Sequence, residues 1–250
     1  QQAHHMKTFI KVLLLLVAVG YFAFAMVRFL LAENRQICTS LSIAVHAPGE
    51  ADPVIDTAFV HNLLVRHKYF PEGRRAKDIP LAEIDSVLES HPYIREALVY
   101  VDAGGCLEIE VTTHEPIMHV IPDGESAYLI SAEGHIMPVG DCLADLPLAS
   151  GHISQSYAKS QLAVLARILT EDEFWDDQIG QVYVGRDSVV TLVPRVGDHT
   201  IRLGKLKGVR RKLAHMRTFY TQALPQIGWN RYKEINLEYD NQIIATRKNR

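Results

Sequence analysis

An apolar run near the N-terminus constrains this chain more than any other feature. Residues 12–27 are apolar except for one glycine and one tyrosine, and Lys11 and Arg28 flank the run. A bilayer core of about 30 Å needs roughly 20 apolar residues in a helix, and the run has this length when it is extended to 9–32. A helix also satisfies its own backbone polar groups, as lipid requires. The sequence therefore predicts a single transmembrane helix over residues 9–32.

Two other interpretations of this run stay open. A cleaved signal peptide would use Lys7 and Lys11 as its basic start and Ala23-Phe24-Ala25 as its cleavage site. The apolar run continues beyond that site to Leu31, which favours an uncleaved anchor. A buried core helix is disfavoured because every face of the run is apolar.

The charges around the run do not fix its orientation, because Lys7 and Lys11 precede it and Arg28 and Arg35 follow it. The chain before the run is short and the chain after it is long. We therefore expect residues 1–8 to be a cytoplasmic tail and the bulk of the chain to lie outside the cytoplasm.

Composition and motifs exclude several classes of function. The 26 basic and 29 acidic residues give a formal net charge of −3, which argues against a general polyanion-binding protein. Hydrophobic residues make up 48% of the chain, so it is not disordered throughout. The sequence contains no zinc-binding His pair, no phosphate-binding glycine loop and no G-x-S-x-G element. We expect no enzymatic activity, no metal, no cofactor and no nucleic-acid partner.

Residues 41–115 show the order β-α-α-β-β. Leu41, Ile43 and Val45 alternate with small or polar residues, which is typical of a strand with one buried face. Apolar residues then recur at helical spacing over two segments, and the second helix begins near Pro80. Two strands at 94–102 and 106–113 follow, joined by a Gly-containing turn. Two helices covering one face of a sheet predict an α+β domain.

Residues 116–247 predict a second, mixed and β-rich domain. Short strands are expected at 117–122, 127–131, 135–139, 179–184, 189–194 and 200–203, with a helix at 156–169. A long amphipathic helix runs from Leu206 to Tyr220. A final strand holds Ile235, Leu237 and Tyr239 and continues to Ile244.

Three polar clusters could carry chemistry. Ser156 and Lys159 have the S-x-x-K spacing of penicillin-binding enzymes, but the accompanying K-T-G motif is missing, so Ser156 is interpreted as a helix cap or first-turn residue. The acidic residues at 171–177 are expected to form a solvated loop that offsets nearby basic charge. A basic cluster comprises Arg202, Lys205, Lys207, Arg210, Arg211, Lys212 and Arg217. We interpret it as the solvated face of a helix, with anionic lipid, anionic glycan or an acidic partner as the alternative.

The order of these elements resembles the FtsQ/DivIB family of cell-division proteins. In the first domain the resemblance rests on HPYIREALV at 91–99, CLEIEV at 106–111 and Glu115-Pro116. In the second domain it rests on YLISAEG at 128–134, VTL at 190–192, IRLG at 201–204 and INLEY at 235–239. It covers nearly the whole chain and implies a POTRA domain over 41–115 followed by a β domain over 116–247.

The resemblance implies a bitopic scaffold of the bacterial divisome, enriched at the septum of the inner membrane. Such a scaffold binds FtsB-like and FtsL-like proteins and links early division proteins to late ones, including septal peptidoglycan synthases. Another membrane-anchored POTRA protein or an anchored cell-wall hydrolase is the alternative. The single POTRA-like unit and the missing catalytic set argue against that alternative.

The resemblance also places the FtsB site around the last strand. By motif match, the expected partner-binding residues are Ile235, Leu237, Glu238, Tyr239, Asp240, Asn241 and Ile243. The family usually has a basic residue before the tyrosine, where this chain has Glu238. A terminal strand can offer unpaired N–H and C=O groups to an extended partner segment. An ordinary cross-strand role for Tyr239 is the alternative.

Overall fold

The structure is a computed structural model, and the residues that it describes are 14–28, 37–49, 52–140, 146–239 and 242–248. The predicted tail at 1–8 and both ends of the predicted span at 9–32 lie outside the described residues. Residues 14–28 form helix α1, whose side chains are all exposed. Among the described residues, no helix combines the length and the apolar character needed to cross a bilayer. The transmembrane helix therefore stays a prediction.

The chain divides into two compact units. The first contains the residues up to His46 together with Ile55–Thr112, and the second contains Ala47–Val54 and the chain from Thr113 onward. Both units combine helices with a sheet, so the predicted α+β class is confirmed for them.

The first unit has the predicted order β-α-α-β-β. Its elements are β1 (Ser40–His46), α2 (Thr57–Arg66), a 3-10 turn (Ala76–Asp78), α3 (Leu81–Glu89), β2 (Ile94–Val101) and β3 (Cys106–Thr113). The strand order is β1-β3-β2, and β1 pairs in parallel with β3 so that Ile43 lies opposite Ile109. Both β1 and β2 are outer strands of this sheet.

Local signals fix the ends of these elements. Asp56 is the N-cap of α2, and its carboxylate accepts a hydrogen bond from the Phe59 N–H at 2.7 Å, which satisfies one of the unpaired donors of the first turn. In the turn between β2 and β3, the Asp102 carboxylate accepts from the Cys106 N–H at 2.7 Å. The core contains Val60, Leu63, Leu64, Ile84, Leu88, Leu107, Ile109 and Val111.

The second unit is built on one nine-stranded sheet. Its elements are β4 (Pro116–Pro122), β5 (Tyr128–Ser131), β6 (Ile136–Pro138), β7 (Leu148–Gly151), helix α4 (Gln155–Tyr157, Ala158–Leu162 and Ala163–Thr170 in succession), α5 (Glu173–Gln178), β8 (Ile179–Val184), β9 (Val190–Pro194), β10 (Thr200–Gly204), helix α6 (Val209–Thr218, Phe219–Ala223 and Leu224–Ile227 in succession), a 3-10 turn (Trp229–Arg231), β11 (Tyr232–Asn236) and β12 (Ile244–Arg247). The strand order is β12-β11-β10-β9-β8-β7-β4-β5-β6.

The core of the second unit is formed by the sheet together with α4 and α6. Trp175 and Tyr220 are fully buried in it, with ring centroids 5.7 Å apart. The residues predicted to face inward from α4, namely Leu162, Leu165, Ile168 and Leu169, are all buried. Leu213 and Met216 of α6 are buried as well, so the predicted apolar faces of both helices are confirmed.

The central strand β7 is absent from the sequence prediction. Its sequence, Leu-Ala-Ser-Gly, contains no β-branched or aromatic residue and therefore gives a weak strand signal. It forms because parallel strands pair with it on both sides, with Ala149 opposite Val120 of β4 and Val182 of β8. Pairing with distant segments decides its structure here.

Candidate partner-binding site at the terminal sheet edge

The end of the chain forms two strands where the sequence predicts one. β11 pairs in parallel with β10, which places Ile201 opposite Ile235, and antiparallel with β12, which places Ile235 opposite Ala245. The Leu237 N–H donates to the Arg202 carbonyl at 2.8 Å and extends the pairing with β10. β11 is therefore an inner strand, and the prediction of one terminal edge strand that starts at Ile235 is wrong. The edge on this side of the sheet is β12.

The backbone of β12 presents unpaired groups on its outer side. The Lys248 N–H, just past the strand, donates to the Arg231 carbonyl at 3.2 Å, so this residue faces β11. Because backbone groups alternate in direction along a strand, Thr246 faces β11 as well, whereas Ala245 and Arg247 turn their N–H and C=O groups away from it. Within the described chain, β12 has no second neighbour in the sheet.

The residues predicted to bind a partner differ in how deeply they are buried. Ile235 and Leu237 are 0% and 2% exposed and belong to the core, and Ile243 is half-buried against that core. For Ile235 and Leu237, the predicted direct contact with a partner is therefore corrected to a role in holding β11 in the sheet. Asp240 and Asn241 lie outside the described residues.

Glu238 makes an ion pair inside the second unit. Its Oε2 accepts a hydrogen bond from the Arg202 Nε at 3.1 Å, and this bond raises the pKa of Arg202. Gly204 has φ +77°, and a Cβ there would lie 3.0 Å from the Glu238 Cγ. Glycine thus leaves room for the Glu238 side chain beside β10. The acidic residue before Tyr239 is therefore neutralised by a partner of its own.

Tyr239 lines an open groove with a basic wall. The Tyr239 side chain is 54% exposed, and the groove has a volume of about 370 Å³. The remaining lining residues are Lys205, Lys207, Arg211, Lys212 and Glu238. Lys212 is only 9% exposed, because its Nζ donates to the carbonyls of Leu203 at 2.7 Å and Lys205 at 3.5 Å. An exposed aromatic ring and several cations therefore share one concave surface.

Other members of the basic cluster are paired with the acidic residues at 171–177. The Arg210 Nη2 lies 2.6 Å from the Glu171 Oε2, and Arg217 forms an ion pair with Asp172. The Arg217 guanidinium also lies 4.6 Å from the centre of the Phe174 ring. Asp172 is the N-cap of α5 and accepts from the Phe174 N–H at 3.2 Å. The predicted charge offset is confirmed, but the acidic segment is a capped helix, and the prediction of a solvated loop is wrong.

The S-x-x-K pattern lies at the start of α4. Ser154 is the N-cap, and its hydroxyl accepts from the Tyr157 N–H at 3.2 Å. Ser156 and Lys159 are both exposed, and Ser156 lies in the first turn, as predicted. In the part of the chain that the structure describes, no group of three or more His, Cys, Asp or Glu side chains is arranged to hold a metal ion.

A buried polar pair joins the start of β10 to α6 and was not predicted. The His199 Nε2 and the Tyr220 hydroxyl are 2.7 Å apart. Burial, together with the charge of Lys248, lowers the pKa of His199, and burial raises the pKa of Tyr220. Both groups are therefore uncharged at neutral pH. The two residues are 21 positions apart and belong to no motif, so the sequence offers no signal for the pair.

Comparison with known families agrees with this architecture. A family model described as "FtsQ/DivIB, C-terminal related" matches residues 115–246, which is more than half of the 250 residues, and a model described as "POTRA-like domain" matches residues 36–112. No curated protein matches the chain. The two matched regions cover the β-α-α-β-β unit and the nine-stranded sheet except for the last residue of β3 and the last residue of β12. The chain therefore belongs to the FtsQ/DivIB family of cell-division scaffold proteins.

Proposed function

We propose that this protein is a membrane-tethered divisome scaffold that binds an FtsB-like protein through β12. An FtsL-like protein would join through that partner, and septal peptidoglycan synthases would be recruited in turn. The observation that carries the proposal is the outer side of β12, where Ala245 and Arg247 turn their backbone groups away from β11. Such an edge is a template for one further strand.

Strand addition accounts for both affinity and selectivity. Main-chain hydrogen bonds to the edge supply affinity to any extended segment, whereas side-chain contacts choose among segments. Ile244 is 44% exposed on β12, on the face opposite half-buried Ala245, and offers an apolar contact. Tyr239 adds an aromatic contact in the groove.

The charges of the groove indicate which partner segments are favoured. Lys205 and Lys207 line it, and Glu238 has its charge balanced by Arg202. A segment that carries carboxylates beside its strand would complement this wall, whereas a basic segment would be repelled. Selection by charge is therefore part of the proposed binding mode.

The proposed tether is the apolar segment that contains α1. The side chains of α1 are exposed along its whole described length, including Leu16, Phe22 and Phe24. A helix that is apolar on all faces and packs against no protein is suited to lipid. We therefore place the protein in the inner membrane, with both units outside the cytoplasm and enriched at the septum.

The experiment compares two substitutions at one position of β12. Ala245→Pro removes an outward N–H, and proline is tolerated on an edge strand when that N–H faces solvent. Ala245→Val keeps the N–H and is the matched control. Co-purification of the full chain with the FtsB-like protein from detergent extracts is expected to fall about tenfold for the proline variant, since one backbone hydrogen bond to the partner is lost.

The amount of co-purified partner is interpreted together with the melting temperature of each variant. Unchanged recovery of the partner with Ala245→Pro would contradict strand addition at β12.

Tyr239→Ala should also lower recovery of the partner, without lowering the melting temperature, because the ring is largely exposed.

A further inference from the structure

A segment of the first unit presents an aromatic side chain among positive charges. The segment at 65–78 contains the last two residues of α2 and most of its connection to α3, and its Phe70 is 53% exposed. Five exposed cations surround this ring in the sequence: Arg66, Lys68, Arg74, Arg75 and Lys77. The segment has only two acidic residues, Glu72 and Asp78. Within the described residues, none of the five cations belongs to an ion pair.

The backbone holds this segment in a defined conformation. At the end of α2, the Lys68 N–H donates to the Val65 carbonyl and the Tyr69 N–H donates to the Leu64 carbonyl, both at 3.0 Å. These two bonds form a Schellman motif, in which Lys68 takes the left-handed position with φ +63°. This hydrogen-bonded turn directly precedes the exposed Phe70.

The same segment is bonded to the chain that leaves the proposed tether. The Cys38 N–H donates to the Arg74 carbonyl at 2.8 Å, and the Gly73 N–H donates to the Cys38 carbonyl at 2.9 Å. Ile37 forms a bridge with Arg75 and is itself an exposed apolar side chain. Ile37 and the segment that carries Phe70 and the cations are thus linked directly through their backbones.

With the proposed tether in the bilayer, chain length keeps Ile37 and the segment bonded to it near the membrane surface. The predicted span ends at residue 32, five positions before Ile37. Five residues reach at most about 18 Å when fully extended, and the headgroup layer adds several Å to each side of the hydrocarbon core. Cations close to an anionic surface are attracted to it, and aromatic residues favour the interface.

We propose that Ile37 and the segment at 65–78 form a lipid-contacting patch that rests on anionic headgroups of the membrane that holds the chain. The inference rests on the proposed tether. Phe70 and Ile37 enter the interface, and the five cations lie against the headgroup phosphates. The patch would orient the first unit on the membrane and limit its rotation about the tether.

Site-specific photo-cross-linking tests this patch on the full chain. Phe70 is replaced by p-benzoylphenylalanine, and the protein is placed in nanodiscs of phosphatidylglycerol mixed with phosphatidylcholine. Leu98 of β2 is the matched position, because it is 55% exposed and belongs to the same unit. Intact-mass spectrometry is expected to show lipid adducts at Phe70 and at least fivefold fewer at Leu98.

A third position separates this inference from the proposed tether. Leu16 of α1 should form lipid adducts whenever the tether is in the bilayer. Adducts at Leu16 without adducts at Phe70 would overturn the patch and leave the tether intact. Absence of lipid adducts at both positions would contradict both the proposed tether and the proposed patch. Cross-linking of Phe70 to a co-purified protein in place of lipid would also overturn the patch.

Two single charge reversals, one inside the patch and one outside it, test the role of charge. Arg75→Glu should lower the adduct yield at Phe70 severalfold, because one attraction becomes a repulsion. Arg95→Glu makes the same change of net charge on β2, where the side chain is also exposed, and should leave the yield unchanged. Equal yields for both variants, or equal yields in pure phosphatidylcholine nanodiscs, would contradict a patch selective for anionic lipid.

Discussion

Two groups of basic residues, one on α6 of the second unit and one on the segment at 65–78 of the first, differ in how their charges are held. In the second unit, Arg210 and Arg217 pair with Glu171 and Asp172, and Lys212 is buried on backbone carbonyls. In the first unit, the cations of the segment at 65–78 are exposed and, among the described residues, belong to no ion pair. A run of basic residues in a sequence therefore does not reveal whether the charges serve the fold or the surface.

The largest effect that tests this contrast concerns Lys212. We expect Lys212→Met to lower the free energy of unfolding of the second unit by about 1–3 kcal/mol, because two carbonyls lose a buried donor. Lys77→Met in the first unit should change that unit's stability by less than about 0.5 kcal/mol, as for an ordinary surface substitution. Native-state hydrogen exchange of the strands reports both values. Equal losses of unfolding free energy for the two variants would contradict the contrast between the two groups of cations.

A smaller effect is expected for the paired arginines. Arg210→Gln combined with Arg217→Gln should cost about 1 kcal/mol in the second unit, as half-exposed ion pairs usually do. Arg74→Gln combined with Arg75→Gln is the control in the first unit and should cost nothing measurable. Urea unfolding monitored by hydrogen exchange checks both pairs. The cost in the second unit should shrink in high salt, and a salt-independent cost would argue that packing outweighs charge.

The smallest predicted effect is a pH dependence centred on His199. Burial and the charge of Lys248 lower its folded-state pKa, although Asp198 acts in the opposite direction. The unfolded chain binds the proton more readily, so the second unit should lose stability as pH falls from about 6.5 toward the folded-state pKa. His199→Gln should flatten this slope, as measured by thermal unfolding across pH. An unchanged slope would assign the pH dependence to other groups.

The first unit offers a matched histidine. Burial, reinforced by Arg66, lowers the pKa of His91. Arg66→Gln removes one of the two causes and should make the pH dependence of the first unit shallower over the same range. No change after this substitution would indicate that burial alone determines the pKa of His91.

Elements of the fold that depend on nearby residues are predicted from the sequence, whereas elements that depend on distant residues are not. The order β-α-α-β-β is predicted from alternation, helical spacing and breaks such as Pro80 and the Gly-containing turn, all of which act over a few residues. β7 is not predicted, because its small residues adopt a strand only between β4 and β8. The charge offset between the acidic residues at 171–177 and the basic cluster is predicted, but the specific pairing of Arg210 with Glu171, 39 positions apart, has no local signal.

The candidate site shows the same limit. Its position at the end of the second unit follows from the family resemblance, and the exposure of Tyr239 agrees with that expectation. The division into β11 and β12 does not follow, since Ile235, Leu237 and Tyr239 alternate in the same way whether the strand is internal or at an edge. The Arg202–Glu238 pair joins β10 to the residues just after β11, and the parallel pairing of these two strands has no local signal.

The most direct test of strand addition at β12 compares the two edges of the second unit's sheet. Hydrogen exchange of the full chain, alone and in complex with the FtsB-like protein, is read at β12 and at β6, the strand at the opposite edge. We predict that the complex slows exchange of the outward amides of Ala245 and Arg247 and leaves exchange of the Ile136 and Met137 amides of β6 unchanged. A complex that forms while exchange at β12 is unaltered would contradict the proposed mode of binding.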